Sequence, residues 1–135
     1  MELESFREHF NCSDKFSVRS GMKLTELREG YARVEMAIDD YSKNYMGSMH
    51  GGLLYTMADV AAGASMIYCG KQAVTLNAST EYIKAAYSGL VIAEGRVISE
   101  GKTICRCEVD VHAEDGTLYC KSHITMFVTG KNIVY

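Results

Sequence analysis

Residues able to do chemistry concentrate between Asn44 and Cys69, NYMGSMHGGLLYTMADVAAGASMIYC. A loop of small residues with one histidine, His50, leads to Gly51-Gly52, and an almost unbroken apolar run follows from Leu53 to Cys69. That run carries a single charge, Asp59. A helix apolar all round is buried on all sides. A lone carboxylate within it must be satisfied by partners, raised in pKa, or used for chemistry. Among apolar neighbours Asp59 suits proton abstraction from water near neutral pH; the plain alternative is a structural Asp bonded to a nearby hydroxyl or backbone group. Gly51 and Gly52 stand where the helix starts, so their N–H groups lack intrahelical acceptors and carry the positive end of the helix dipole. Without side chains they admit a reacting group closely, or they merely permit a tight turn. Asp59 lies about 12 Å from Gly51 along one straight helix, too far for both to serve one reacting group. Two copies of the helix packed antiparallel about a two-fold near Tyr55 bring Gly51 of one chain to Asp59 of the other.

The elements that must position these groups belong to a chain of 135 residues, enough for a single domain with its own core. Residues 1–135 read as one unit, with 1–21 a short helix and irregular lead-in. Hydrophobic residues make up 47% and charged residues 23%, the balance of an ordinary globular protein. Net charge is −3 and the 14 basic residues are scattered, so no basic footprint for nucleic acid or an anionic membrane is present. The start, MELESFREHF, has no apolar signal core, which argues against secretion. The central apolar run is about 17 residues long, and Asp59 with its polar flanks argues against a membrane span. Five cysteines at irregular spacing predict free thiols in a reducing cytoplasm. Cys105-Arg106-Cys107 puts two thiols on one strand face as core filling, and one C-x-C is too few ligands for a metal site.

Leu3, Phe6 and Phe10 predict an amphipathic helix over Glu2–Phe10, and Asn11–Gly21 reads as irregular with room for a short edge strand. Strands are predicted at Met22–Arg28 and Tyr31–Ile38; in the second, Ala32, Val34, Met36 and Ile38 face one way and Arg33 and Glu35 the other. Asp39–Lys43 is a polar turn. The helix begins near Gly51 with Ser48 or His50 as cap, and ends at Cys69-Gly70 with Gly as C′. Four strands follow, at Ala73–Ala86, Gly89–Ser99, Thr103–Ala113 and Thr117–Thr129. Their turns are Ser88-Gly89, Glu100-Gly101 and Asp115-Gly116. An antiparallel meander around so apolar a helix is an α+β layer fold in which the sheet wraps the helix. One sheet of this size leaves part of the helix uncovered, so self-association as a dimer is expected.

Read together, Asn44, Gly47, His50, Gly51, Gly52 and Asp59 (N-x-x-G-x-x-H-G-G-x-x-x-x-x-x-D) resemble the hotdog-fold acyl-CoA thioesterases of the phenylacetate-pathway (PaaI-like) type. The strand Val74-Thr75-Leu76-Asn77 through Tyr82, the turn Gly101-Lys102-Thr103 and the hairpin Asp115-Gly116-Thr117-Leu118 are similar to later family segments. One departure is Lys84-Ala85-Ala86, where the family often has a proline. The resemblance implies hydrolysis of an acyl-CoA to free acid and coenzyme A, with no cofactor beyond the coenzyme A of the substrate itself. It implies that the Gly51 N–H polarises the thioester oxygen and that Asp59 is general base or nucleophile. It further implies that Asn44 positions carbonyl or water, that Thr75 holds water beside Asp59, and that His50 orients the loop or a substrate group. Asn44 has an Asx-turn alternative, His50 a cap alternative, and Thr75 is also simply a good strand residue.

Asn77, two residues beyond Thr75, is expected on the same strand face. By analogy Asn77, Tyr82 and the turn with Ser99, Gly101, Lys102 and Thr103 meet coenzyme A, with Lys102 and Lys84 supplying positive charge for its phosphates. Tyr55, Met57, Met66 and Tyr68 suggest an apolar pocket for the acyl group. Two other readings stand beside hydrolysis: an acyl-thioester dehydratase or hydratase, which would rely on His50, and a non-catalytic acyl-CoA-binding module. Dimer and tetramer of paired dimers are not distinguished.

Overall fold

A computed structural model describes residues 2–135. Two short helices, α1 (Leu3–Ser13) and α2 (Lys15–Ser20), precede the hairpin of β1 (Lys23–Arg28) and β2 (Tyr31–Ala37). The long helix α3 (Gly51–Ser65) comes next, then β3 (Lys71–Tyr82), β4 (Leu90–Glu100), β5 (Ile104–Ala113) and β6 (Leu118–Asn132). The six strands form one antiparallel sheet in the order β1-β2-β4-β5-β6-β3, and α3 touches every one of them. This is the wrapped-helix, hotdog arrangement the sequence predicts.

The strand alternation is borne out. Ala32, Val34 and Met36 of β2, and Cys105, Cys107, Val109 and Val111 of β5, are buried toward α3. Cys120, Ile124 and Met126 of β6 join them, with Ser122 buried in the same row. The α3 face that meets them is small: Ala58, Ala61 and Ala62 are fully buried, with Leu54 and Met57. Small residues let the helix backbone come down on the sheet, and Gly95 of β4 completes the approach. A Cβ there would stand 2.6 Å from the Ala61 carbonyl oxygen. At the end of α3 the Ala62 carbonyl accepts from the Ser65 hydroxyl (2.7 Å) and from the Cys107 thiol (3.6 Å). Those bonds satisfy a carbonyl that the helix end would otherwise leave open.

Several boundaries differ from the expectation. Asn11–Gly21 contains no strand: α1 continues to Ser13 and α2 follows, closed by Gly21 at φ 84°. An Asp14 side chain bonded to the Ser17 hydroxyl (2.5 Å) favours this local turn over sheet pairing. The central helix stops at Ser65 and continues only as a 3₁₀ turn over Ile67–Cys69, with Gly70 left-handed as predicted. Strand β3 ends at Tyr82, because the N–H groups of Ile83 and Lys84 both turn to the Tyr119 carbonyl. Nor is α3 buried on all sides. Leu54, Met57, Ala58, Ala61 and Ala62 are buried, whereas Gly52 is exposed and Tyr55, Thr56, Asp59 and Gly63 are only half-buried.

All five cysteines are free thiols. Burial pushes the Cys105 thiol up to about 12, with its Cys107 neighbour adding to the shift, and pushes Cys120 up to about 11. Cys107 is raised by the same cause. A chromogenic disulfide reagent near pH 8 should therefore react with exposed Cys12 and leave Cys105, Cys107 and Cys120 untouched until denaturant is added. Prompt reaction of those three in the folded protein would contradict this packing.

Candidate active site

The loop before α3 is organised by one side chain. The Asn44 Oδ1 accepts from Met46 N–H (3.0 Å), Ser48 N–H (3.2 Å) and the Ser48 hydroxyl (3.3 Å). Its oxygen is thus spent on an Asx-type loop, and only its amide N–H groups remain to meet a ligand. His50 caps the helix, its Nδ1 accepting from Gly52 N–H at 2.9 Å. An accepting Nδ1 puts the proton of the neutral ring on Nε2. Gly51 is different. Its N–H has no acceptor among the described residues, so the first donor of the helix stays open. Tyr82 lies over this point, its hydroxyl donating to the Gly51 carbonyl (2.9 Å), and a Cβ on Gly51 would meet its ring at 3.3 Å.

Gly51, Tyr55 and Asp59 follow one another at intervals of four residues, along the open stripe of α3. The Asp59 carboxylate meets the edge strand of the sheet: the Thr75 hydroxyl donates to its Oδ1 at 2.5 Å. Here the expected pair is brought together, without a water between them. Tyr55 senses both ends of the stripe. Burial pushes its phenol up, and the Asp59 charge and then Tyr82 add to the shift. Asp59 and Thr75 both line a cavity of about 490 Å³ between α1 and α3, whose other walls include Phe6, Phe10, Val60, Gly63, Met66 and Met126.

Other predicted residues divide into two groups. Tyr82, with Lys84 just beyond it, stands at the start of α3. Ser99, Gly101, Lys102 and Thr103 belong to the β4–β5 hairpin at the far end of the helix. Gly101 and Lys102 line a second cavity there, of about 220 Å³, with Met66 and Cys69. Gly101 is required by the turn, since a Cβ would approach the Ile104 carbonyl oxygen to 2.8 Å. A single chain does not bring the two groups together.

Two expectations about placement fail. Asn77 is not on the Thr75 face. The β3–β6 register slips between them, from Thr75 opposite Met126 to Asn77 opposite Thr125, so a bulge at Leu76 turns Asn77 to the outer face. Met57 is wholly buried in the core against the sheet, and Tyr68 is tied by its hydroxyl to Glu100 (2.6 Å); of the four suggested pocket residues, Met66 alone lines the cavity at Asp59. Sequence reasoning also missed Phe6, Phe10, Gly63 and Met126. The amphipathic face of α1 was visible, but nothing local says what it covers. Among the described residues no cluster of His, Cys, Asp and Glu is arranged to hold a metal ion, and no helix is long and apolar enough to cross a membrane.

The thioesterase superfamily profile matches residues 46–120. An Archaeoglobus fulgidus protein provisionally called an esterase is 31% identical over 100 residues, which are 73% of this chain and 65% of that protein. A hypothetical thioesterase of Streptococcus pneumoniae TIGR4, solved with coenzyme A, is 34% identical with a TM-score of 0.78 over 83% of this chain and 91% of that one. That protein has also been solved with an aspartate, and separately a threonine, replaced by alanine. The E. coli PaaI protein of the phenylacetic acid degradation operon has the same fold, with a TM-score of 0.91 over 98% of this chain and 97% of its own at 20% identity.

Proposed function

Because the chain belongs to the thioesterase superfamily, we propose that it hydrolyses an acyl-CoA thioester to a free acid and coenzyme A, at two sites shared across a homodimer. The observation that carries this is the Thr75–Asp59 hydrogen bond on the open stripe of α3. Thr75 holds Oδ1, and Oδ2 has no hydrogen-bond partner among the described residues, so that Asp59 acts as general base on water or as nucleophile itself. The open Gly51 N–H receives the oxygen as the carbonyl carbon becomes tetrahedral, with the helix dipole behind it. Collapse of that intermediate breaks the C–S bond and the thiolate leaves. With water as nucleophile, the thiolate takes up the proton Asp59 had drawn from that water, and the acid is released at once. With Asp59 as nucleophile, collapse leaves an acyl-Asp59 anhydride, which a water then hydrolyses to the free acid and the regenerated carboxylate. The aspartate and threonine replaced in the Streptococcus protein are 16 residues apart, the spacing of Asp59 and Thr75.

Gly51 and Asp59 lie equally far from Tyr55, so antiparallel pairing of two α3 helices about Tyr55 closes two equivalent sites. The sheet supports the same two-fold. Strand β3 is an edge of the sheet with no strand on its outer side, and its Val74 and Leu76 are 55% and 61% exposed. Long apolar edges of this kind pair with another chain. In that dimer the β4–β5 hairpin of one subunit comes to the helix start of the other. Ser99, Gly101, Lys102 and Thr103 then join Tyr82 and Lys84 around coenzyme A, with the lysines facing phosphate, while Asn77, on the outer face, stands apart from it. Further pairing into a tetramer is compatible with this site, and the free thiols suit a cytoplasmic setting. A dehydratase would need the His50 ring, which instead spends Nδ1 on the helix cap.

Subunit mixing tests the shared site. Gly51→Pro removes the open N–H at a helix position that accepts proline, after a residue at ψ 130° that suits one. Mixed and reassorted in equal amounts with Asp59→Ala, two inactive chains should recover about a quarter of wild-type thiol release, since half of the dimers would hold one intact site. Reassortment without any recovery would exclude shared sites.

A further inference from the structure

We propose that the cavity between α1 and α3 receives the acyl group of the substrate, and that Phe6 and Phe10 set the size of group accepted. This rests on the thioesterase reading of the Asp59 site and adds a specificity wall to it. Asp59 and Thr75 both line the cavity, so a carbonyl held at that carboxylate has this space beside it for its substituent. From there the walls are apolar: Phe6 and Phe10 from α1, Val60, Gly63 and Met66 from the end of α3, and Met126 from β6. At about 490 Å³ the space suits a small or medium apolar group. Asp14 and Lys71 also line it, but each is engaged elsewhere. Asp14 accepts from the Ser17 hydroxyl (2.5 Å), and the Lys71 ammonium donates to Asn132 (2.6 Å). Beyond these two groups and the Asp59–Thr75 pair the lining is apolar, which favours an apolar acyl group.

The wall itself is unusual. Helix α1 buries none of its residues and lies outside the residues 46–120 matched by the family profile, yet it is held firmly from behind. The Asn11 amide bonds both the N–H and the C=O of Leu24 (2.8 Å each), and Arg7 reaches the same carbonyl. Tyr135 packs edge-on against Phe6 (5.5 Å between ring centres) and donates its hydroxyl to the Glu2 carbonyl. A helix fixed at its back with two aromatic rings facing a cavity acts as a gauge for what enters. Gly63 is the opposite wall. A Cβ there would find only the Met126 methyl, at 3.9 Å, so larger side chains can be accommodated and would project into the space.

The test is coenzyme A release from acetyl-, hexanoyl- and decanoyl-CoA by the native chain, Gly63→Leu and Phe10→Ala. The same variants are titrated calorimetrically with the matching S-alkyl thioethers of coenzyme A, which cannot be hydrolysed. Filling the cavity in Gly63→Leu should lower the hexanoyl-to-acetyl ratio of kcat/KM about tenfold or more, and opening it in Phe10→Ala should raise the decanoyl-to-hexanoyl ratio. Thioether affinities should shift the same way. Ratios that stay at their native values in both variants, by turnover and by binding, would overturn the assignment. Chain-length-dependent thioether binding that shifts in the variants, with no coenzyme A release from any substrate, would sustain the cavity and sink the hydrolysis reading instead.

Discussion

Asp59→Asn should lower kcat for thiol release by roughly a thousandfold while leaving the fold intact. The substitution is nearly isosteric, and an amide oxygen can still accept the Thr75 hydroxyl that now meets Oδ1 at 2.5 Å. What disappears is the basicity of the second oxygen, whether it draws a proton from water or attacks directly. Asp59 is only half-buried, so neutralising it removes no buried ion pair and should move the melting temperature little. Thr75→Ala leaves the carboxylate but frees it to rotate, and a hydrogen bond to a charged group is worth enough to predict a loss of about tenfold to a hundredfold. Thiol release from a panel of acyl-CoAs by the three proteins measures both. Activity of Asp59→Asn above a tenth of the native rate would remove Asp59 from the chemistry.

Gly95→Ala should cost about 3 kcal/mol of stability, an unusually large effect for one added methyl group. The new Cβ would lie 2.6 Å from the Ala61 oxygen, 2.7 Å from the Ala61 carbonyl carbon and 3.1 Å from the Ala62 nitrogen. These are backbone atoms within α3, so no side chain can swing aside. The helix must lift from β4, opening the layer that Met57, Ala58, Ala61 and Ala62 now close. For a chain of this size the melting temperature should fall by about 10 °C. Activity should fall further than stability alone requires, because α3 carries both Gly51 and Asp59 and small displacements of reacting groups are costly. Thermal melts followed by circular dichroism give the first number, and a shift under a few degrees would show that the helix and sheet yield more easily than this packing allows.

Features set by near neighbours along the chain were legible before any coordinates. The alternation in β2 and β5 marks the face turned to α3, since side chains of a strand point to opposite sides in turn. The helix start at His50-Gly51 and the left-handed Gly70 that closes the 3₁₀ turn after the helix are local hydrogen-bond matters, closed within a few residues. The oddity of a carboxylate in an apolar helix singled out Asp59, and helix rise alone separates it from Gly51. Tertiary structure decided what depends on segments far apart in the chain. The bulge at Leu76, which sends Asn77 to the outer face, arises from the register of β3 on β6 and has no mark in the run VTLNAS. The need for glycine at Gly95 appears only when α3 lies across β4, and the place of Phe6 and Phe10 on the wall of the Asp59 cavity only when α1 is set beside α3.

The central helix shows both sides of this. Its composition predicts burial all round, but the sheet of one chain covers a single face and leaves Gly52, Tyr55, Thr56, Asp59 and Gly63 along the other. Periodicity says which residues share a face. Which face the sheet takes is settled by packing, because only close contact between distant backbones distinguishes a stripe of alanines from a stripe that must wait for a partner or a substrate.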